Sequence, residues 1–168
     1  MKNCLVTGGA GFIGSHLVKR LLEDGAKVTV VDDLSEGKWS NLPVHPNLTK
    51  RKVSILENMS PFVAGKDIIF HLAAIPRLQR SIVEPWQTHR VNVDGTLNLL
   101  LEAKKHKVKK FIFFFKFVGL RKQKQNSFLR RHRTRSFSPL LPAKSDGRRI
   151  LSNVLATLGS GNYQLAPL

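Results

Sequence analysis

Residues 7–14 read Thr-Gly-Gly-Ala-Gly-Phe-Ile-Gly and stand between two patterned stretches. The apolar residues 4–6 before them are typical of a buried strand, and residues 17–22 after them place apolar side chains at helical spacing. Glycine is needed where a backbone turns with positive φ, approaches a pyrophosphate without a Cβ, or packs a helix against a strand. The N-terminus of the following helix offers N–H groups to phosphate. These features predict a dinucleotide-binding turn.

A second predicted strand, residues 27–31, ends in two acids, Asp32 and Asp33. Their distance from the last glycine suits a carboxylate that accepts hydrogen bonds from the two hydroxyls of a ribose. The alternative is a glycine-rich loop that binds nothing, but the strand, the helix and the acids together favour a ligand.

The spacing of Gly8, Gly11 and Gly14 resembles that of the NAD-dependent epimerase/dehydratase family, the extended short-chain dehydrogenases/reductases that include UDP-glucose 4-epimerase. The resemblance covers about the first 113 residues. Three further motifs follow in the family's order: His-Leu-Ala-Ala at 71–74, Val-Asn-Val-Asp-Gly-Thr at 91–96 and Val-Lys-Lys-Phe-Ile at 108–112.

The fold predicted from these patterns is α/β, a Rossmann-type doubly wound parallel sheet that is truncated after about five strands and followed by a basic irregular tail. Strands alternate with helices, and the strands are apolar on both faces. Residues 1–115 would form an incomplete NAD-binding domain and residues 116–168 the tail. The cofactor would lie across the carboxyl ends of the first, second and fourth strands. The fifth strand would be left as an unpaired edge. The predicted strands are 2–7, 27–32, 50–55, 67–72 and 109–115, and the predicted helices are 12–24, 59–64 and 86–105.

The resemblance implies that NAD is the cofactor, that full-length relatives act on nucleotide sugars, and that those relatives are homodimers. Ser54 and Ile55 stand where the family usually has an acidic residue near adenine. We expect His71 to be a packed residue, because no partner has metal-like spacing to it; no metal ligand is predicted. The cofactor-binding residues that the resemblance implies are Gly8, Gly11, Phe12, Ile13, Gly14, Asp32, Asp33, Leu72, Ala73, Ala74 and Asn92. Residues 72–74 would also suit any buried strand end.

The catalytic pattern of this family is missing from the sequence. The resemblance implies a tyrosine whose pKa is lowered by a lysine four residues later, with a serine or threonine upstream. The single tyrosine is Tyr163, and Pro167 stands four residues after it. Residues 113–117 read Phe-Phe-Phe-Lys-Phe where relatives carry a serine-rich strand end. We therefore assign no catalytic residue and expect no catalysis by this chain.

The composition changes sharply after the predicted fifth strand. Residues 116–149 contain eleven Lys or Arg and a single acid, Asp146, so they contribute +10 of the net charge of +17. Within this stretch, residues 130–136 have no helical or strand periodicity, which is typical of a solvated segment. Phosphate-backbone binding is its functional interpretation. Because few aromatic residues, such as Phe128 and Phe137, are interleaved with the charges, non-specific binding to polyanions is favoured over sequence-specific recognition.

A third interpretation explains the lost motif and the charge together, namely that the tail is the family's coding sequence translated in the wrong frame. With permitted codons, residues 139–168 read one base later can give PYSLPKATAEEYCRMFWRLWGVETTSLRH, which contains the tyrosine–lysine spacing. Residues 114–121 can give SSSSSVYG, which resembles the family's serine-rich strand end. The alternative is a genuine divergent basic tail.

Length and cysteine content limit the class of protein further. The 168 residues suffice for one domain but not for an added substrate lobe. The single cysteine, Cys4, favours a reducing compartment, and neither a membrane-spanning run nor a signal peptide is recognisable, so we expect a cytoplasmic protein. Three functions remain. The first is a nucleotide-sugar epimerase or dehydratase by family, with this chain a truncated, inactive NAD-binding fragment. The second is a non-catalytic NAD(H)-binding regulatory module, and the third a basic nucleic-acid-binding protein.

Overall fold

The computed structural model describes residues 1–76, 78–115 and 162–167, the last group and residues 78 and 115 by their backbone alone. The strands are β1 (Asn3–Thr7), β2 (Lys27–Asp32), β3 (Leu48–Lys52), β4 (Ile68–His71), β5 (Lys110–Phe115) and β6 (Asn162–Pro167). The helices are α1 (Phe12–Glu23), α2 (Ser60–Val63), α3 (Leu78–Val83), α4 (Pro85–His89) and α5 (Thr96–Lys105). A 3-10 turn covers Trp39–Asn41, and a π-helical turn, Arg90–Gly95, joins α4 to α5.

The strands form one parallel sheet in the order β3-β2-β1-β4-β5-β6. β1 lies between β2 and β4, with Val6 opposite both Val30 and Phe70. After β3 the chain crosses to the other side of β1, so the loops after β1 and β4 leave the sheet in opposite directions and open a crevice between them. This topology confirms the predicted Rossmann-type fold.

Both faces of the sheet are covered, because successive residues of a strand point to opposite sides. Leu5 of β1 packs in a cluster with Leu99 and Leu100 of α5. Its neighbours Cys4 and Val6 pack on the other face, in a cluster that includes Val18 of α1. The continuous apolar run in β1 therefore follows from burial on both sides.

The prediction that β5 forms an unpaired edge is wrong. β6 pairs with it in parallel, from Lys110 opposite Asn162 to Phe115 opposite Pro167. Phe111 is 2% exposed and belongs to the buried core. A free strand edge is a ready template for another strand, and here residues from the basic tail occupy it. The other predictions for residues 116–161 lie outside the described residues.

Two other elements differ from their predicted bounds by more than one residue at an end. β3 ends at Lys52 because a turn follows, in which Ser54 N–H donates to the Glu57 carboxylate and Glu57 N–H donates to Ser54 O. The single helix predicted over 86–105 is divided by the π-helical turn. The preceding helix, α3, was not predicted.

Candidate functional site

The glycine turn begins immediately after β1 and lies against the segment that follows β4. Gly8 has a φ of +71°, which an L side chain rarely adopts, and its N–H donates to Val31 O at 2.9 Å. A Cβ at Gly8 would stand 2.6 Å from the backbone nitrogen of Ala73. Glycine is therefore required here by the protein's own backbone.

The other two glycines of the motif differ from each other. A Cβ at Gly14 would stand 2.7 Å from Gly9 Cα, so glycine lets α1 pack onto the turn. Gly11 has φ −73° and ψ 177°, and a Cβ there would meet only Gly8 O, at an ordinary 3.4 Å. Nothing in the described protein demands glycine at position 11, so the space beside it is open to a ligand.

The N-terminus of α1 faces this open space. Gly11 is its N-cap and supplies no side-chain hydrogen bond to the first turn. The first N–H groups of a helix lack partners within the helix and carry its positive dipole end. Phe12 is 81% exposed and Ile13 is 45% exposed, so two apolar side chains flank these donors. The arrangement suits an anion attached to an apolar or aromatic group.

Asp32 connects the end of β2 to the turn. Its Oδ2 accepts from Ala10 N–H and its Oδ1 from Leu34 N–H, both at 2.9 Å. Burial raises the pKa of this carboxyl, and the hydrogen bonds from Leu34 and Ala10 act against that rise. Each oxygen keeps a second lone pair for a ribose hydroxyl. Asp33 is exposed, and its Oδ1 accepts from Ser35 N–H and the Ser35 hydroxyl.

The loop after β2 closes over the turn at Ala10, a contact that the sequence did not predict. Lys38 N–H and Asn41 Nδ2 both donate to Ala10 O, at 3.2 and 2.8 Å. A Cβ at Gly37 would stand 2.8 Å from the carbonyl carbon of Ala10. A glycine five residues after Asp32 was the available sequence signal for this close approach.

The segment after β4 forms the opposite wall. Leu72 N–H donates to Thr7 O at 3.0 Å, which continues the pairing of β1 with β4. Leu72 and Ala73 are half-buried, and Ala74 is exposed. Asn92, in the π-helical turn, accepts from Ile75 N–H at 2.8 Å and donates to Ile75 O at 3.1 Å. Its amide therefore binds both polar groups of one residue in the wall.

His71 is fully buried at the end of β4, in agreement with the prediction of a packed residue. Its Nδ1 lies 2.7 Å from Thr7 Oγ1 and its Nε2 lies 2.9 Å from Thr96 Oγ1. Burial lowers the pKa of the imidazole to about 3, so the ring is neutral at physiological pH.

The segment expected near adenine carries no acid at positions 54 and 55. Ile55 is buried beneath Gly95, where a Cβ would stand 2.6 Å from Ile55 Cδ1. Asn98 Nδ2 donates to Ile55 O at 2.8 Å and so joins this loop to α5. Ile55 therefore packs against α5 and its preceding turn, and it supplies no charge to the expected adenine position.

The structure thus brings the predicted residues of the glycine turn, the end of β2 and the β4 segment together at the carboxyl ends of the sheet strands. Asn92 lies behind the β4 segment. Tyr163 and Pro167 lie in β6. Among the residues that the structure describes, no group of three or more His, Cys, Asp or Glu side chains could hold a metal ion. No helix in the described ranges has the length and apolarity to span a membrane.

A parallel sheet of this order, with a glycine turn leading into a helix and an acid ending the second strand, defines a dinucleotide-binding protein of the Rossmann class. The model of the NAD-dependent epimerase/dehydratase family matches residues 4–115. The chain belongs to this family, and the family's cofactor is NAD.

Individual relatives resemble the chain over its N-terminal part. The UDP-N-acetyl-alpha-D-glucosaminuronate decarboxylase of Bacillus cytotoxicus is 41% identical over 121 residues, which are 67% of this chain and 36% of that protein. The chain therefore spans about a third of the length of this curated relative.

Two solved structures show the same fold. The UDP-N-acetylglucosamine 4-epimerase of Methanobrevibacter ruminantium, in complex with UDP-N-acetylmuramic acid, is 33% identical with a TM-score of 0.82, covering 98% of this chain and 53% of that one. The UDP-glucose 4-epimerase of Thermus thermophilus, in complex with NAD, is 28% identical with a TM-score of 0.75, covering 98% and 53%.

Proposed function

We propose that residues 1–115 bind NAD(H) across the carboxyl ends of β1, β2 and β4. The observation that carries this proposal is the contrast among the three glycines of the turn. Gly8 and Gly14 are glycines because the protein's own backbone would meet a Cβ, whereas a Cβ at Gly11 would enter open space. A glycine at a position where the protein leaves room is suited to close approach of the protein backbone to a ligand group such as a pyrophosphate.

Each wall of the crevice has a distinct task in this proposal. The first N–H groups of α1, at Phe12, Ile13 and Gly14, donate to the phosphates. Asp32 accepts from the adenosine ribose while its backbone hydrogen bonds keep it in place. The side chains of residues 72–74 form the apolar wall beside β4. When bound, NAD supplies a hydride acceptor; this part of the chain supplies binding and orientation.

For the whole protein we propose a nucleotide-sugar epimerase, dehydratase or decarboxylase, since the relatives described above act on UDP-sugars. The chain as it stands would be an inactive NAD-binding fragment. Tyr163, the only tyrosine in the sequence, lies in β6 with Pro167 rather than one helical turn before a lysine. The sequence has no other tyrosine that could supply, beside a lysine, the phenol by which relatives would take a proton from a sugar hydroxyl.

The wrong-frame origin of residues 116–168 remains our explanation for the missing pair. The missing tyrosine–lysine spacing and the missing serine-rich strand end can both be encoded by residues 139–168 and 114–121 read in one shifted frame, which supports this explanation. Sequencing the coding DNA near the codon for Phe113 tests this directly. We expect a second reading frame that encodes tyrosine and lysine four residues apart and stays open past the codon for Leu168. Early stops in both alternative frames would contradict the proposal.

The binding proposal is tested by calorimetric titration of the chain with NAD and by assay of UDP-glucose turnover. We expect saturable NAD binding at one site and no turnover. Turnover would contradict the inactive-fragment proposal, and absence of NAD binding would contradict the site. The same titration with a DNA duplex at several salt concentrations examines polyanion binding by the basic segment, which should weaken steeply as salt rises.

A further inference from the structure

His71 joins three elements through a chain of buried hydrogen bonds. Thr7 ends β1, His71 ends β4 and Thr96 begins α5. All three residues are between 0 and 5% exposed, and the ring of Phe113 stacks on the imidazole at 5.2 Å. Water is therefore excluded from this contact, and each hydrogen bond acts at low dielectric.

The direction of every hydrogen bond in this chain is fixed by one carbonyl. The Thr96 hydroxyl donates its single hydrogen to Asn92 O at 2.8 Å. It can then only accept from His71, so Nε2 carries the ring proton. Nδ1 is left as an acceptor and takes the hydroxyl hydrogen of Thr7.

This series of hydrogen bonds ends at Asn92, the residue that holds the wall of the crevice. Thr96 N–H donates to Val93 O within the π-helical turn, so its hydroxyl is the group that reaches Asn92 O. The Asn92 side chain in turn binds both the N–H and the carbonyl of Ile75. π-helical turns are rare in proteins, and those that occur are often found at functional sites. This one places Asn92 against the segment after β4.

We propose that His71 is a positioning residue for the cofactor-lining segment 72–75, acting through Thr96 and Asn92. This inference rests on the proposed NAD site. The imidazole touches no ligand. It supplies a donor to Thr96 and an acceptor to Thr7 at fixed positions, and so holds the π-helical turn and the start of the glycine turn in one arrangement.

Two matched pairs of variants test this proposal in the full chain. Thr96→Val deletes the hydroxyl and keeps the shape, whereas Thr96→Ser keeps the hydroxyl. His71→Asn leaves a polar group near Nδ1 only, whereas His71→Gln extends an amide N–H toward Thr96. NAD affinity is measured by calorimetry at a temperature where circular dichroism shows each variant folded. Hydrogen exchange of the Ile75 amide is measured without NAD, with the Val18 amide of α1 as the internal control.

We expect Thr96→Val and His71→Asn to raise the NAD Kd and the exchange rate of Ile75 at least about tenfold, with little change at Val18. Thr96→Ser and His71→Gln should stay within about threefold of the wild type. A lower melting temperature with an unchanged Kd and unchanged Ile75 protection would overturn the proposal, as would equal acceleration at Ile75 and Val18. If Thr96→Val does not fold, the His71 pair decides. If the wild type does not bind NAD, the site proposal fails alone, and the exchange data still decide whether His71 positions segment 72–75.

Discussion

Alanine substitution at the glycines of the turn distinguishes glycines required for the stability of the fold from those required for ligand binding. At Gly11, φ is −73° and a Cβ meets one atom at 3.4 Å, so alanine fits without strain. Alanine lowers the entropy of the unfolded chain, which stabilises the fold by about 0.4–1 kcal/mol. It is a poorer N-cap than glycine by roughly the same amount. The free energy of unfolding of Gly11→Ala should therefore stay within about 0.5 kcal/mol of the wild type.

Gly8→Ala should behave in the opposite way. The positive φ costs about 1–2 kcal/mol with a side chain. The new Cβ would also stand 2.6 Å from a backbone atom of Ala73, and such overpacking costs about 1–3 kcal/mol more. Gly25→Ala is the matched control, since its φ is +76° but no atom lies within 4 Å of its Cβ. That variant should lose only the 1–2 kcal/mol of backbone strain and keep its NAD affinity.

The order of the glycine variants by NAD affinity should differ from their order by stability. A methyl group at position 11 would occupy the space through which the pyrophosphate approaches, and we expect Gly11→Ala to weaken NAD binding at least about 30-fold, or about 2 kcal/mol. Thermal denaturation followed by circular dichroism gives the stabilities, and calorimetric titration gives the Kd values. Equal NAD affinity of Gly11→Ala and wild type would refute the reasoning. A large loss of stability in Gly11→Ala would do so too, because the space beside the turn would then be filled by the protein.

Three further outcomes are expected. NAD should bind at least about tenfold more tightly than NADP, because Asp32 and Asp33 repel a 2′-phosphate; equal affinities at about 0.15 M salt, also in a chain ending near residue 115, would count against it. The pKa of His71 is about 3 when folded and 6.5 when unfolded, so stability is complete above pH 6.5 and falls by up to about 1.4 kcal/mol per unit as the pH drops below it. Urea unfolding between about pH 7 and 5 should show this slope, and His71→Gln should flatten it; the raised pKa of Asp32 contributes with the opposite sign. Gly37→Ala should destabilise the protein by about 1–3 kcal/mol, because its Cβ would stand 2.8 Å from Ala10; a thermal transition at the wild-type temperature would show that the loop can move aside.

The sequence predicted the parts of the site that depend on neighbouring residues. The glycine turn, the acid after β2 and the small residues after β4 each carry a local pattern, and the family resemblance supplied their order. Their placement at one edge of the sheet then follows from the topology of parallel strands. Their roles toward NAD remain predictions.

The features that the sequence did not predict depend on contacts between distant residues. The loop around Gly37 and Asn41 closes on Ala10 through hydrogen bonds that no local pattern announces. The π-helical turn reads as ordinary helix in the sequence, and its hydrogen bonds between Asn92 and Ile75 join residues that are distant along the chain. β6 could not be predicted because Asn162–Pro167 has little strand propensity and is placed by the free edge of β5.

The central position of β1 affects the order in which parts of the protein can fold during synthesis. The glycine turn is synthesised before the residues against which it packs, because Gly8 lies against Ala73 and the wall there depends on Asn92. At about 5–20 residues per second, synthesis reaches Asn92 several seconds after the turn. During that interval β2 can pair with β1 and β3 with β2, but one wall of the crevice does not exist. A ligand stabilises a fold only once its site is formed, so NAD can assist folding only after β4 has docked beside β1.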